Sequence, residues 1–194
     1  MLISEGNKHM AEVGFARFSA REVAKRIGYS IGTLYNVFGS YDQFIAAVNT
    51  KTFELWAYEL RNALSDCKGD RIRCLVENYF SFARTNRNLW RAIYEHNVPD
   101  GFVMSDEQHF QRGKLTELVV QEVANALPET KTEMAPRLAR SLIATVHGHC
   151  ALDLGGSFSL MGLDGAVEMA LERVQESLTI ADGRVRRPVA EETI

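Results

Sequence analysis

Apolar positions recur along this chain at intervals of three and four residues, the period of a helix face. No sustained two-residue alternation of β-branched side chains between turns competes with that pattern, so an all-α protein is expected. Short segments come first, within residues 1 to about 50. Gly14 closes the first helix. Ser19-Ala20-Arg21-Glu22 then reads as a capping box: the Ser19 hydroxyl takes a backbone N–H three residues on, and Glu22 reaches back. The helix it starts carries Val23, Ala24 and Ile27 on one face and Lys25 and Arg26 on the other, and Gly28 ends it. After a short turn Ser30 caps a third helix, Ile31 to Phe38, whose Leu34 and Phe38 lie four apart on the buried side. Gly39-Ser40 breaks it.

Longer helices follow. From Asp42 to about Asp66, Phe44, Ile45, Val48, Phe53, Trp56, Leu60 and Leu64 keep close to helical spacing and predict a single helix bridging the two parts of the molecule. Further helices are expected from Arg71 to about Asn86, from Asn88 to His96, from Asp106 to Leu127, from Thr132 or Pro136 to Leu154, and from Asp164 to Ile180. Pro99-Asp100-Gly101 is a turn. The resulting plan is an N-terminal three-helix head over residues 1–48, a helical body over 49–181 and a loose tail over 182–194.

A chain of 194 residues accommodates a small domain of about 50 residues joined to a larger one. With 46% hydrophobic and 24% charged residues, the chain falls outside the disordered and membrane classes. It has neither an apolar run of about 20 residues nor the basic flank and apolar stretch of a signal peptide at its start, so a cytoplasmic protein with no membrane partner is expected. Cys67, Cys74 and Cys150 form no even framework and no CxxC pair, which predicts reduced thiols and no cysteine-rich metal site. The net charge of -3 hides an asymmetry: residues 1–50 hold five cations and four carboxylates, a balance of +1, and the rest of the chain carries -4. That permits a phosphate-facing end on an acidic body, with a weak electrostatic footprint.

Two short helices joined by a tight turn, the second opening on small and polar side chains, form the arrangement that seats a helix in a major groove; the same pattern also serves a helical hairpin inside a core. Gly32 and Thr33 let a backbone approach DNA closely, Tyr35 and Asn36 can bond phosphates or base edges, and Arg21 can reach a guanine or a phosphate. Beyond this pattern, the run from Phe18 to Ser40, with Gly28-x-Ser30-x-Gly32-Thr33-Leu34-Tyr35 and Phe38 three residues on, resembles the DNA-binding head of the TetR family over about residues 9 to 48. In the body, Trp90 within Asn88-Leu89-Trp90-Arg91 and His147-Gly148 resemble the branch of that family whose C-terminal half is called the WHG domain.

The resemblance implies a dimeric regulator of double-stranded operator DNA, with Ala20, Arg21, Ser30, Ile31, Thr33, Tyr35, Asn36 and Tyr41 at DNA-contacting positions. Relatives often place lysine where this chain has Ile31 and Tyr41, and many have a basic arm ahead of the first helix, which here begins directly after Met1. Each departure removes a phosphate partner. The resemblance further implies that the last two helices pair with those of a second copy, placing two recognition helices one DNA turn, ~34 Å, apart on a palindrome. The helix from Arg137 to Leu154 is apolar most of the way round, as burial on two sides requires.

The middle of the chain is rich in aromatic residues, which more often fill a core than line a pocket. Together they suggest an apolar cavity. The family uses such a cavity for a small apolar or amphipathic inducer, and Trp90, Tyr94, Phe110 and His147 are the candidate pocket residues. His147 and His149, two apart on a helix, face different ways and suit core or interface positions rather than a shared metal, while His96 and His109 are expected to be exposed. No nucleophile elbow, HExxH, P-loop or dinucleotide fingerprint is present, and neither a catalytic residue nor a cofactor is expected. A ligand-binding helical dimer that no longer binds operator DNA is the alternative reading, favoured by the missing lysines and arm.

Overall fold

The computed structural model describes residues 1–183, and among them every regular element is helical. In chain order these are α1 (Leu2–Val13), α2 (Ala20–Arg26), α3 (Ile31–Phe38), α4 (Tyr41–Asp66), α5 (Arg71–Thr85), α6 (Arg87–Glu95), α7 (Asp106–Asn125), α8 (Ala135–Leu154), α9 (Ser157–Leu160) and α10 (Ala166–Asp182). Two 3₁₀ segments, Phe15–Arg17 and Glu129–Met134, and the four-residue α9 were not legible in the apolar period, because one or two turns are too short to show one. The expected loose tail lies, past Gly183, outside the described residues. No helix among the described residues is long and apolar enough to cross a membrane.

The described residues fold into two compact units: residues 1–66 with 81–115, and residues 67–80 with 116–183. In the first unit one core gathers Leu2 and Met10 of α1, Phe18, Val23 of α2, Leu34 of α3, Phe44, Ile45 and Val48 of α4, and Leu89 and Ala92 of α6. Gly6 allows the close approach of α1 to α4. A Cβ at that position would lie 2.7 Å from Val48 Cγ2 and 2.9 Å from Phe44 Cζ.

Past this core, α4 carries a polar band. Asn49 Nδ2 donates to the Ala92 carbonyl at 3.1 Å, and Thr52 Oγ1 accepts from Asn7 Nδ2 at 2.9 Å. Arg112 of α7 donates to Thr50 Oγ1 and to the Ala46 carbonyl, each at 3.0 Å, with its guanidinium over the Phe53 ring. Three neighbouring helices are thereby tied to one stretch of α4. His96, expected to be exposed, is buried, with Nε2 3.0 Å from Asp42 Oδ1. The carboxylate at the start of α4 supplies the partner that makes its burial tolerable. His109 is exposed as expected.

The second unit has its own core, with Ile72, Val76, Tyr79, Val123, Leu142, Val146, Leu171 and Val174 all buried. Arg71 makes a bidentate pair with the buried Glu122 at 2.6 Å for both bonds, and Arg73 grips Glu168 at 2.9 and 3.1 Å. The cysteines depart from the sequence expectation of reduced thiols: Cys67 and Cys74 form a disulfide, and Cys150 is buried. The residues linking α4 to α5 double back and bring the two Cα atoms to 6.6 Å, a proximity that the seven-residue spacing alone does not reveal.

Candidate nucleic-acid interface

The α2–α3 pair is built by local chemistry. Ser19 Oγ accepts the Glu22 N–H at 3.2 Å, as expected of an N-cap. The reciprocal half of the capping box is replaced: the Ser19 N–H points to Nε2 of the buried His9 at 3.4 Å, and the Glu22 carboxylate turns to Arg26 at 3.4 Å. At the other end Gly28 has φ +76, with its N–H on the Lys25 carbonyl and the Tyr29 N–H on the Ala24 carbonyl. Those two bonds form a Schellman cap, and the left-handed backbone they need favours glycine. Ser30 then caps α3: its Oγ accepts the Thr33 N–H at 3.1 Å and lies 3.0 Å from Thr33 Oγ1. Leu34 is completely buried, so the opposite face of α3 is held outward.

That outward face carries most of the candidate DNA residues. Tyr35 is 43% exposed, Asn36 and Gly32 are exposed, and Ile31 and Thr33 are partly exposed. Arg21 is exposed at the start of α2. Ser30 is exposed, but its hydroxyl is committed to capping. Ala20 is buried, which leaves its backbone rather than its methyl group as the part suited to a phosphate. Tyr41 opens α4 half-buried. Burial, then the Asp42 carboxylate and then Tyr35, raises its phenol above the ordinary value and keeps it a neutral hydrogen-bond donor.

Two features were missed in the sequence. Arg26, counted among the head's cations, is held by Glu12 at 2.7 Å, Glu5 at 3.3 Å and Glu22 at 3.4 Å, and it keeps the Glu12 carboxyl below the usual carboxylate range. Its charge is neutralised within the head. Tyr29 is exposed in the turn and adds an aromatic hydroxyl beside α3, a position whose exposure depends on the cap geometry.

The candidate pocket residues are dispersed. Trp90, which is buried, and Tyr94, which is 45% exposed, pack edge-to-face at 5.3 Å within the first unit. Phe110 is 62% exposed, with the Lys114 ammonium 4.5 Å from its ring centre. His147 belongs to the second unit. That unit contains an apolar cavity of about 50 Å³ whose walls include Ile72, Val76, Tyr79, Val123, Leu142 and Val146; none of the four candidates lines it. His147 stands one bond away, its Nδ1 3.0 Å from the Tyr79 hydroxyl, and burial lowers its imidazole below the ordinary value. Its neighbour His149 bonds instead to the Thr145 carbonyl at 2.8 Å. Sequence reasoning favoured large aromatics and so overlooked a cavity walled mainly by branched aliphatic residues.

A capped helix-turn-helix whose second helix exposes Gly32, Tyr35, Asn36 and Val37 without a charge is the arrangement of a DNA-binding regulator. Residues 2–48 match the model of bacterial regulatory proteins of the tetR family, and residues 72–178 match that of the tetracyclin repressor-like C-terminal domain. The chain belongs to the TetR family and is a DNA-binding transcription regulator rather than an enzyme. Among solved structures it is similar to a protein of unknown function from Rhodococcus sp. RHA1, at 20% identity over 91% of this chain and 90% of that one, with a TM-score of 0.66. It is also similar to the multidrug binding protein EbrR complexed with imidazole, at 20% identity over 98% and 96% of the two chains and a TM-score of 0.58. A TetR-like transcriptional regulator from Rhodococcus sp. RHA1 shares 18% identity over 91% of each chain, with a TM-score of 0.55. At these identities the likeness shows the fold. Among curated proteins, none matches the sequence at a significant level.

Proposed function

We propose that this chain is a cytoplasmic, ligand-responsive repressor that occupies a palindromic operator as a homodimer and leaves it when a small apolar or amphipathic molecule binds the body. The observation that carries the reading is α3, where Leu34 anchors the helix and Tyr35, Asn36 and Gly32 face outward from its Ser30 cap. Arg21 contributes a charged contact from α2, and Tyr41 a neutral one from α4. Domain limits at 48 and 181 follow the same reading.

The homodimer forms through α8 and α10. On α8 Arg137, Arg140, Ser141, Ala144 and Leu152 are exposed while Leu142, Val146 and Cys150 fill the unit's own core, so the helix offers a second surface, basic near its start and small or apolar beyond. For the inducer, the existing cavity of about 50 Å³ is well below the roughly 300–1,000 Å³ of sites for drug-sized ligands, so binding must enlarge it. A ligand that fits only the enlarged state shifts the population of body conformations, which is how it acts on DNA affinity. His147, whose Nδ1 lies 3.0 Å from the hydroxyl of the cavity-wall Tyr79, is the candidate residue through which we expect it to be felt.

Selection from random duplexes by the purified protein at low salt tests the reading, with Tyr35→Ala and Thr33→Ala as controls. Recovery of one inverted repeat, lost in both variants, is the expected result. Recovery of no preferred sequence by a folded dimer would instead support a ligand-binding protein without operator binding.

A further inference from the structure

We propose that Cys67 and Cys74 form a reversible thiol–disulfide exchange site whose reaction partner is a low-molecular-weight thiol or its disulfide. The two cysteines are bonded to each other and both are partly exposed, so an external sulfur nucleophile can reach them. Cys150 is fully buried and serves as an internal control. One point rests on the cytoplasmic setting proposed above: in a reducing compartment a disulfide is usually transient, catalytic or redox-sensing rather than a permanent staple.

The surroundings show why the bond can open without loss of the fold. On the α4 side, Leu60 and Leu64 are buried; on the α5 side, Ile72 and Val76 are buried, and Arg71 and Arg73 are tied to Glu122 and Glu168. Each helix thus has packing or ion-pair contacts beside the disulfide. The bond itself closes the loop of residues 67–74. Asp70, inside the closed loop, caps α5 by accepting the Ile72 and Arg73 N–H groups on Oδ1 at 2.9 and 3.2 Å, and its Oδ2 accepts from Gln175 of α10 at 3.4 Å. Opening the loop loosens this cap and its link to α10.

The reaction balances without any other redox partner. A small thiolate attacks one Sγ, the Cys67–Cys74 bond breaks, a mixed disulfide forms and the other cysteine leaves as a thiolate. A second small thiolate attacks the mixed disulfide and releases the second cysteine. Two small thiols become one small disulfide, and their two electrons and two protons end on the protein as two thiols. Oxidation is the reverse.

The test equilibrates the full chain in glutathione buffers of graded ratio, quenches by alkylation and quantifies each cysteine by mass spectrometry. The expected result is interconversion of Cys67 and Cys74 together as a two-electron couple, with Cys150 unmodified and amide exchange across residues 67–74 about tenfold faster in the reduced protein. Cys67→Ser and Cys74→Ser should each capture glutathione on the remaining partner, and the double variant should fold with an unchanged circular dichroism spectrum. A pair that stays oxidised at the most reducing ratio, or reduced at the most oxidising, overturns the proposal. So do single variants that capture no glutathione and a double variant that does not fold. Because the readout is thiol mass, such failure leaves the DNA-binding reading untouched, and absence of operator binding leaves this one untouched.

Discussion

The α2–α3 pair and the cavity-bearing second unit are both helical, yet they are specified at different ranges. In the pair the helix boundaries are set within five residues, where Ser19 and Ser30 cap and Gly28 reverses the chain, and Leu34 then turns one face into the first unit's core. In the second unit, by contrast, the cavity walls come from α5, α7, α8 and α10, from Ile72 to Val174. A DNA-reading surface can therefore be encoded in a short motif, whereas a ligand site exists only after assembly. Family models nevertheless match both, over residues 2–48 and residues 72–178.

The largest expected effect on this contrast comes from Leu34→Ala, which removes the completely buried anchor of α3 and should cost about 3 kcal/mol in urea unfolding. Duplex binding should fall with it, because the outward face has lost what orients it. Next are the caps. Ser19→Ala and Ser30→Ala should each cost about 1 kcal/mol, but Ser30→Ala, at the start of the reading helix, should weaken DNA binding more than Ser19→Ala in a titration. Equal effects of both on DNA affinity would mean that α3 is not the element in the groove.

A smaller effect is expected in the second unit. Val146→Ile adds a methyl group to the wall of the existing cavity and should raise stability by about 0.5 kcal/mol while blunting release from DNA by apolar ligands. The smallest concerns pH. His147 has a folded-state value below its unfolded one because burial disfavours the cation. The unfolded chain therefore binds more protons, and this contribution is complete above both values and declines as pH falls through the unfolded value, about 6.5. Urea midpoints compared between about pH 7.5 and pH 5.5 should drop less in His147→Gln than in the parent protein.

Much of the fold was legible in the sequence. The α3 and α4 boundaries follow from Ser30, Gly39 and the apolar spacing of Phe44 to Leu64, because these are one-dimensional signals. The exposure of Tyr35 and Asn36 could be read in the same way. His96 could not, since its partner Asp42 lies on another helix, nor could the Cys67–Cys74 bond, which depends on how the intervening chain turns. Arg26 shows the same limit in the head: a count of charges cannot reveal that Glu5, Glu12 and Glu22 converge on it. The cavity is the fullest case, for aliphatic residues such as Val123 and Leu142 look like ordinary core until a void is found beside them.

The central claim, that the outward face of α3 reads DNA sequence, is tested most directly by fluorescence-anisotropy titration of the selected inverted repeat and a scrambled duplex with the parent protein and Tyr35→Ala. The account predicts that the parent protein prefers the repeat by about 1,000-fold, that Tyr35→Ala loses about tenfold or more on the repeat, and that both proteins bind the scrambled duplex alike. Equal affinity of the parent protein for the two duplexes, or a preference untouched by the substitution, would contradict it.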